Sequence, residues 1–127
     1  IIDYMQLMSA DGKTENRQLE VSEISRRLKG IALELKVPVV ACAQLSRANT
    51  LRACQTRRLS DLRDSGSIEQ DADVAKFLHR ESYYDETSED TNTAEVIVAK
   101  QRNGPLDTIE LNWLSEFTLF EDRYEGD

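Results

Sequence analysis

Histidine is nearly missing. His79 stands alone among 127 residues, which argues against a histidine-rich metal site or an intact Ser/His/Asp triad within the chain. Cysteine is scarce as well: Cys42 and Cys54 are the only two, they lack a metal-ligand spacing, and Cys42 lies in an apolar run, so both read as reduced thiols. No apolar run approaches the roughly 20 residues needed to cross a bilayer. No charged-apolar-small signal pattern opens the chain either, which leaves a soluble, cytoplasmic reading with no membrane partner. Internal repeats and low-complexity segments are absent.

What is present fits one domain or part of one, since 127 residues with 39% apolar content can bury a modest core. The chain starts at Ile1 inside an apolar run, with no methionine, cap or lead-in, and so reads as cut from something longer. The net charge of −8 and pI near 4.7 argue against nonspecific coating of nucleic acid. That sum hides an uneven layout. Arg47, Arg52, Arg57, Arg58 and Arg63 face only Asp61 in residues 44–63, while acids gather in 81–90 and 121–127. Such a strip could guide a nucleic-acid strand along one channel of an acidic body, or could simply be solvated loop arginines.

In chain order, Ile1-Ile2-Asp3-Tyr4-Met5-Gln6-Leu7 reads as a buried strand carrying a carboxylate. A buried acid requires a cation, hydrogen-bond donors or a water-bound metal, so Asp3 is the first candidate site residue. Asn16 is placed to cap a helix over residues 17–36, where Val21, Ile24, Leu28, Ile31 and Leu35 form a stripe and Arg26, Arg27 and Glu34 face outward. Gly30 reads as a close approach to a sheet, and Pro38 ends the helix. Residues 37–43 follow as a second buried strand, so the order strand, helix, strand predicts a right-handed parallel crossover and an α/β fold. Ligands of open parallel sheets collect beyond the carboxyl ends of the strands, which selects Asp3 and Gln44. Gln44 carries an amide able to sense a phosphate or orient a water, or else is a satisfied strand-end amide.

Residues 45–59 form a long irregular, arginine-rich segment. Residues 60–73 admit two readings: an anion grip built from Arg63, Asp64, Gly66 and two serines, or a surface turn before a helix capped by Ser67 with Gln70 completing the box. A third strand over 73–80, an acidic excursion over 81–92, a fourth strand over 94–100, a tight turn at Asn103-Gly104-Pro105 and a fifth strand over 106–113 predict a C-terminal hairpin. A short sixth strand is expected at 117–120. On the fourth strand Val98, Lys100 and Arg102 share a face if extension persists. Two cations aimed together call for an anion, unless they are edge-strand charges that oppose aggregation. Trp113 is expected in the core or at its margin, and His79 takes no role.

Taken together, Ile1-Ile2-Asp3-Tyr4-Met5-Gln6-Leu7, Asn16-Arg17-Gln18, Glu20-Val21-Ser22-Glu23-Ile24-Ser25-Arg26, Gln44-Leu45-Ser46-Arg47, residues 60–73 and Ala99-Lys100-Gln101-Arg102-Asn103-Gly104-Pro105 resemble the C-terminal motor domain of the DnaB-type bacterial replicative DNA helicases. Their order and spacing are far more specific than any one of them, and they cover nearly all of residues 1–127.

The resemblance implies the later part of a RecA-like (P-loop NTPase) motor domain. In the intact protein this motor works as a homo-hexamer that hydrolyses ATP between subunits and moves 5′ to 3′ on single-stranded DNA, with a helicase loader and primase as further partners. By the same resemblance Asp3 is the Walker B aspartate, holding Mg²⁺ chiefly through water, and Gln44 couples the γ-phosphate to the DNA loop. Lys100 and Arg102 reach the neighbouring subunit's nucleotide, with Arg102 as an arginine finger. Arg63, Asp64 and Gly66 match the loop gripping the DNA backbone. Asp64 stands where the family usually shows glutamate, one methylene shorter, and its negative charge fits orienting Arg63 or accepting a hydrogen bond. No G-x-x-x-x-G-K-[ST] phosphate loop occurs in the chain, nor does the upstream glutamate expected to activate water. The expectation is that these residues alone neither hydrolyse ATP nor unwind DNA. Two other readings are another RecA-like ATPase of the recombinase or clock type, and a nucleotide-independent DNA-binding or oligomerisation module.

Overall fold

The computed structural model describes residues 1–9, 16–44, 68–83 and 91–123. Two compact units, Ile1–Ala72 and Asp73–Asp127, divide the chain.

The first unit is built on helix α1, Arg17–Leu35. The Asn16 side chain accepts from the Gln18 N–H at 2.9 Å, so the expected cap is formed. Glu20 adds a carboxylate to the positive first turn, and Glu23 meets Arg27 one turn on at 2.6 Å. Val21 and Ile24 are buried with Met5, and Met8, Leu28, Ala43 and Ile68 pack around them. Ile68 opens the short helix α2, Ile68–Asp71, which rests on α1.

Only the first half of the predicted apolar stripe is covered. Ile31 and Leu35 are exposed within this unit, and among the described residues nothing beyond Gly30's own helix backbone and chain neighbours lies within 4 Å of where its Cβ would stand, so the expected close approach is not seen there. The helix stops at Lys36, whose φ of 54° and ψ of 43° lie in the left-handed region, with Pro38 two residues further on. Holding a lysine there costs about 1–2 kcal/mol relative to right-handed backbone. Lys36→Gly is therefore expected to raise stability by about 0.5–1 kcal/mol, after the larger entropy of an unfolded glycine is subtracted. A thermal melt checks this; a lower Tm would contradict the left-handed stop.

The two expected strands of this unit do pair in parallel, around a bridge between Ile2 and Ala41. The Ile2 N–H donates to Val40 O at 2.8 Å, the Cys42 N–H to Ile2 O at 2.8 Å, and the Met5 N–H to Cys42 O at 2.9 Å. Both strands are shorter and less buried than the apolar runs predict. Met5–Leu7 coils into a 3-10 turn, Asp3 is exposed rather than buried, and Val37 and Val40 are exposed. The β-branched composition favours extension, but burial depends on what covers a strand, which composition does not encode. Cys42 is a free, exposed thiol.

The second unit is an antiparallel sheet in the order β1-β2-β3-β4. Its strands are β1, Val74–His79; β2, Thr93–Gln101; β3, Asp107–Leu114; and β4, Leu119–Asp122. All four match predicted strands within about two residues, which is the ordinary uncertainty of a strand end. Alternation along β1 buries Ala75 and Phe77 and exposes Val74, Lys76 and Leu78. Trp113 sits opposite Phe120 across β3 and β4, with ring centroids 4.6 Å apart, and the Arg80 guanidinium lies 4.3 Å from the Trp113 ring centroid. This cluster lies at the C-terminal end of β3. The β2–β3 pairing runs only to Val98 opposite Asp107, so the turn containing 103–105 is wider than a two-residue hairpin.

Candidate functional site

The parallel ladder of the first unit leads to Gln44. Its hydrogen-bond sequence passes Ile2, Cys42 and Met5, then can go no further along the backbone because Met5–Leu7 turns away. At that point the Gln6 side chain takes over. Gln6 Nε2 donates to Gln44 O at 2.9 Å, and the Gln44 N–H donates to Gln6 Oε1 at 3.2 Å. A side-chain amide presents the same donor and acceptor as a peptide group, so it extends the ladder by one step. Asp3 directly follows the bridge residue Ile2, and Gln44 lies three positions past its partner Ala41. The two predicted site residues therefore stand on paired segments of one unit.

Arg17 braces the same corner. Its Nη1 and Nη2 approach Met8 O at 3.4 and 3.3 Å, Nη2 also donates to Gln6 O, and Nη1 pairs with Glu20. An arginine at the first position of a helix opposes the macrodipole. Here the acceptors around it offset that cost, and the guanidinium ties the 3-10 turn to the start of α1. Neither Gln6 nor Arg17 was a predicted site residue. Each still left a sequence signal: an amide inside an apolar run, and a cation directly after an N-cap.

Lys100 and Arg102 belong to the second unit. Lys100 pairs with Ala75 in the β1–β2 register, beside an irregularity between Ala75 and Lys76. Arg102 lies past the last residue of β2, in the turn, so it does not continue the strand face of Val98 and Lys100 as expected. The Arg102 N–H still donates to Asp73 O at 3.0 Å, one ladder step beyond the Val74–Gln101 pair, and its Nε lies 3.4 Å from Asp73 Oδ1. With side chains 53% and 54% exposed, this ion pair contributes at most about 1 kcal/mol to stability. Its structural effect is to join the turn after β2 to the residue that precedes β1. Arg63, Asp64, Gly66 and the predicted cap Ser67 lie outside the described residues, as does Cys54.

Among the described residues no group of three or more His, Cys, Asp or Glu side chains is placed to hold a metal, and no helix is long and apolar enough to cross a membrane. A single exposed carboxylate such as Asp3 does fit one class of ion. Mg²⁺ keeps several waters and is commonly held by one or two carboxylates together with substrate phosphates.

Comparison with known proteins places this arrangement. Residues 1–122 match the family described as DnaB-like helicase C terminal domain. The replicative DNA helicase DnaB of Geobacillus stearothermophilus is 53% identical over 121 residues, covering 94% of this chain and 27% of that protein. That of Pasteurella multocida is 50% identical over 125 residues, covering 98% and 27%. Among solved structures, one described as an ATPase domain superposes with a TM-score of 0.89 at 46% identity, covering 97% of this chain and 43% of that one. A DnaB-like replicative helicase described with its interactions with primase gives the same TM-score and identity, covering 97% and 30%. The chain thus spans about a quarter of the length of the curated relatives it matches, and it belongs to the DnaB-like helicase C-terminal domain family.

Proposed function

We propose that these residues form the later part of the motor of a replicative DNA helicase, a ring-shaped homo-hexamer that hydrolyses ATP with Mg²⁺ and moves 5′ to 3′ along single-stranded DNA. The observation that carries this reading is the paired segment ending near Asp3 and Gln44, in a chain that matches the helicase family over residues 1–122. Asp3 holds the hydrated Mg²⁺, which supplies charge neutralisation on the β- and γ-phosphates. Gln44 stands at the end of its segment, next to the arginine-rich residues 45–63, and reports the state of the γ-phosphate to them. Arg63, with the Gly66 backbone and Asp64 orienting the cation, grips a DNA phosphate. Lys100 and Arg102 act on the nucleotide of the neighbouring subunit. The fold-level neighbour described with primase supports primase as a partner, and a helicase loader is the other protein this reading implies. The motor acts in the cytoplasm, where the replication fork is.

Arg63→Ala in the full-length helicase tests the reading. Losing one phosphate contact is expected to weaken single-stranded DNA binding roughly tenfold and to lower the salt dependence of binding by about one ion. DNA-stimulated hydrolysis falls first, while hydrolysis without DNA stays near the parent rate. A titration of labelled oligonucleotide at several salt concentrations reads both numbers. Equal loss of hydrolysis with and without DNA would favour a structural role for this segment instead.

A further inference from the structure

We infer that Gln6 is a positioning residue for Gln44, setting the backbone from which the Gln44 amide projects and so the coupling between nucleotide state and residues 45–63. The inference rests on the reading of Gln44 given above, but its geometry stands apart from that reading. Gln6 and Gln44 exchange two hydrogen bonds, 2.9 Å from Gln6 Nε2 to Gln44 O and 3.2 Å from the Gln44 N–H to Gln6 Oε1. A carboxylate in place of Gln6 could not donate to the carbonyl, and an ammonium could not accept from the N–H, so among straight side chains of this length only the amide serves both ends.

The need for this clamp follows from the turn at Met5–Leu7. Backbone pairing between the two segments stops at the Met5 to Cys42 bond, two residues short of Gln44. Without Gln6, the Gln44 N–H and carbonyl would lose both of these partners. Gln6 is itself fixed, because its carbonyl accepts from Arg17, and the same guanidinium holds Met8 O at the far side of the turn. The chain of contacts therefore runs from the first residue of α1 through the 3-10 turn to Gln44. Ala43, beside Gln44, packs on the Met5, Val21 and Ile24 cluster, which gives the clamp a rigid base.

The test uses the full-length helicase carrying Gln6→Met, which keeps the length of the side chain and removes its hydrogen bonding. Amide hydrogen exchange at Gln44 is expected to quicken about tenfold. The ratio of DNA-stimulated to unstimulated ATP hydrolysis should fall about tenfold, and Gln6→Glu should fall with it. Gln44→Ala is expected to lose the same ratio, and the double variant Gln6→Met/Gln44→Ala should be no worse than Gln44→Ala alone, because both act through one group. Thermal unfolding and ring assembly, measured alongside, separate this from a general loss of fold. Unchanged exchange at Gln44 in Gln6→Met would overturn the clamp. Faster exchange with the ratio intact, while Gln44→Ala has lost it, would overturn the positioning role and leave the proposed function standing. An intact ratio in Gln44→Ala itself would overturn the reading of Gln44 and this inference with it.

Discussion

Arg102→Ala in the full-length helicase is expected to lower ATP hydrolysis by about a thousandfold or more, the scale on which an arginine finger stabilises the charge of a transferred phosphoryl group. Nucleotide binding should survive largely intact, because the contact is made as charge develops in the transition state rather than in the bound ground state. Arg102→Lys is not expected to restore the rate, since a compact ammonium lacks the planar fork of a guanidinium. The structure adds a reason for the side chain's placement. Its backbone N–H donates to Asp73 O and its Nε lies 3.4 Å from Asp73 Oδ1, which sets the cation beside the residue that precedes β1. Steady-state hydrolysis and binding of a fluorescent nucleotide check the expectation together. Mixed rings give a further measure: if Arg102 acts on a neighbour, variant subunits should depress the hydrolysis of parent subunits beside them. A variant with near-normal hydrolysis would end the finger assignment.

Trp113→Ala carries the largest expected effect on stability, about 3–5 kcal/mol for emptying a buried aromatic site. Trp113 is only 9% exposed, and its ring stacks at a tilt of 45° against Phe120 directly across the strand pair and receives Arg80 on its face. Each contact is within a range where aromatic and cation–π pairs add about 0.5–1.5 kcal/mol to simple burial. Trp113→Phe should recover much of the loss by keeping an aromatic partner for Phe120. The check is chemical denaturation followed by circular dichroism, since removing tryptophan also removes the fluorescent probe. Combined with Phe120→Ala, the two losses should fall short of their sum, because the second truncation acts on a stack already broken. Full additivity would mean that the two rings contribute independently of one another.

Local pattern was a good guide where one residue's environment is set by its near neighbours. Asn16 caps α1 as its position before an amphipathic segment predicts, and β1 falls within one residue of the expected third strand at each end. The parallel pairing of Ile2 with Ala41 also follows from strand, helix, strand order. The same reasoning overestimated burial. Ile31, Leu35, Val37 and Val40 are apolar on a predicted inner face yet exposed in the first unit, because periodicity says which residues lie together and not what lies over them. The fourth strand runs to Gln101, one residue past its expected end, and the condition for Arg102 to share the face of Val98 and Lys100, that extension persists, is not met.

By itself, the sequence determined the family, the order and near-boundaries of the helix and sheet strands, and the identity of Asp3, Gln44, Lys100 and Arg102 as the residues to examine. These depend on residue type, spacing and short-range period, all of which are written along the chain. Only the tertiary structure decided that Asp3 is exposed, that β2 ends before Arg102 with Arg102 beside Asp73, and that Gln6 extends the ladder to Gln44. The physical reason is the separation of the partners. A hydrogen bond between residues 38 positions apart leaves no period in the sequence, and it forms only after the parallel pairing has brought the two segments to about the 4.8 Å spacing of neighbouring strands, within reach of one side-chain amide.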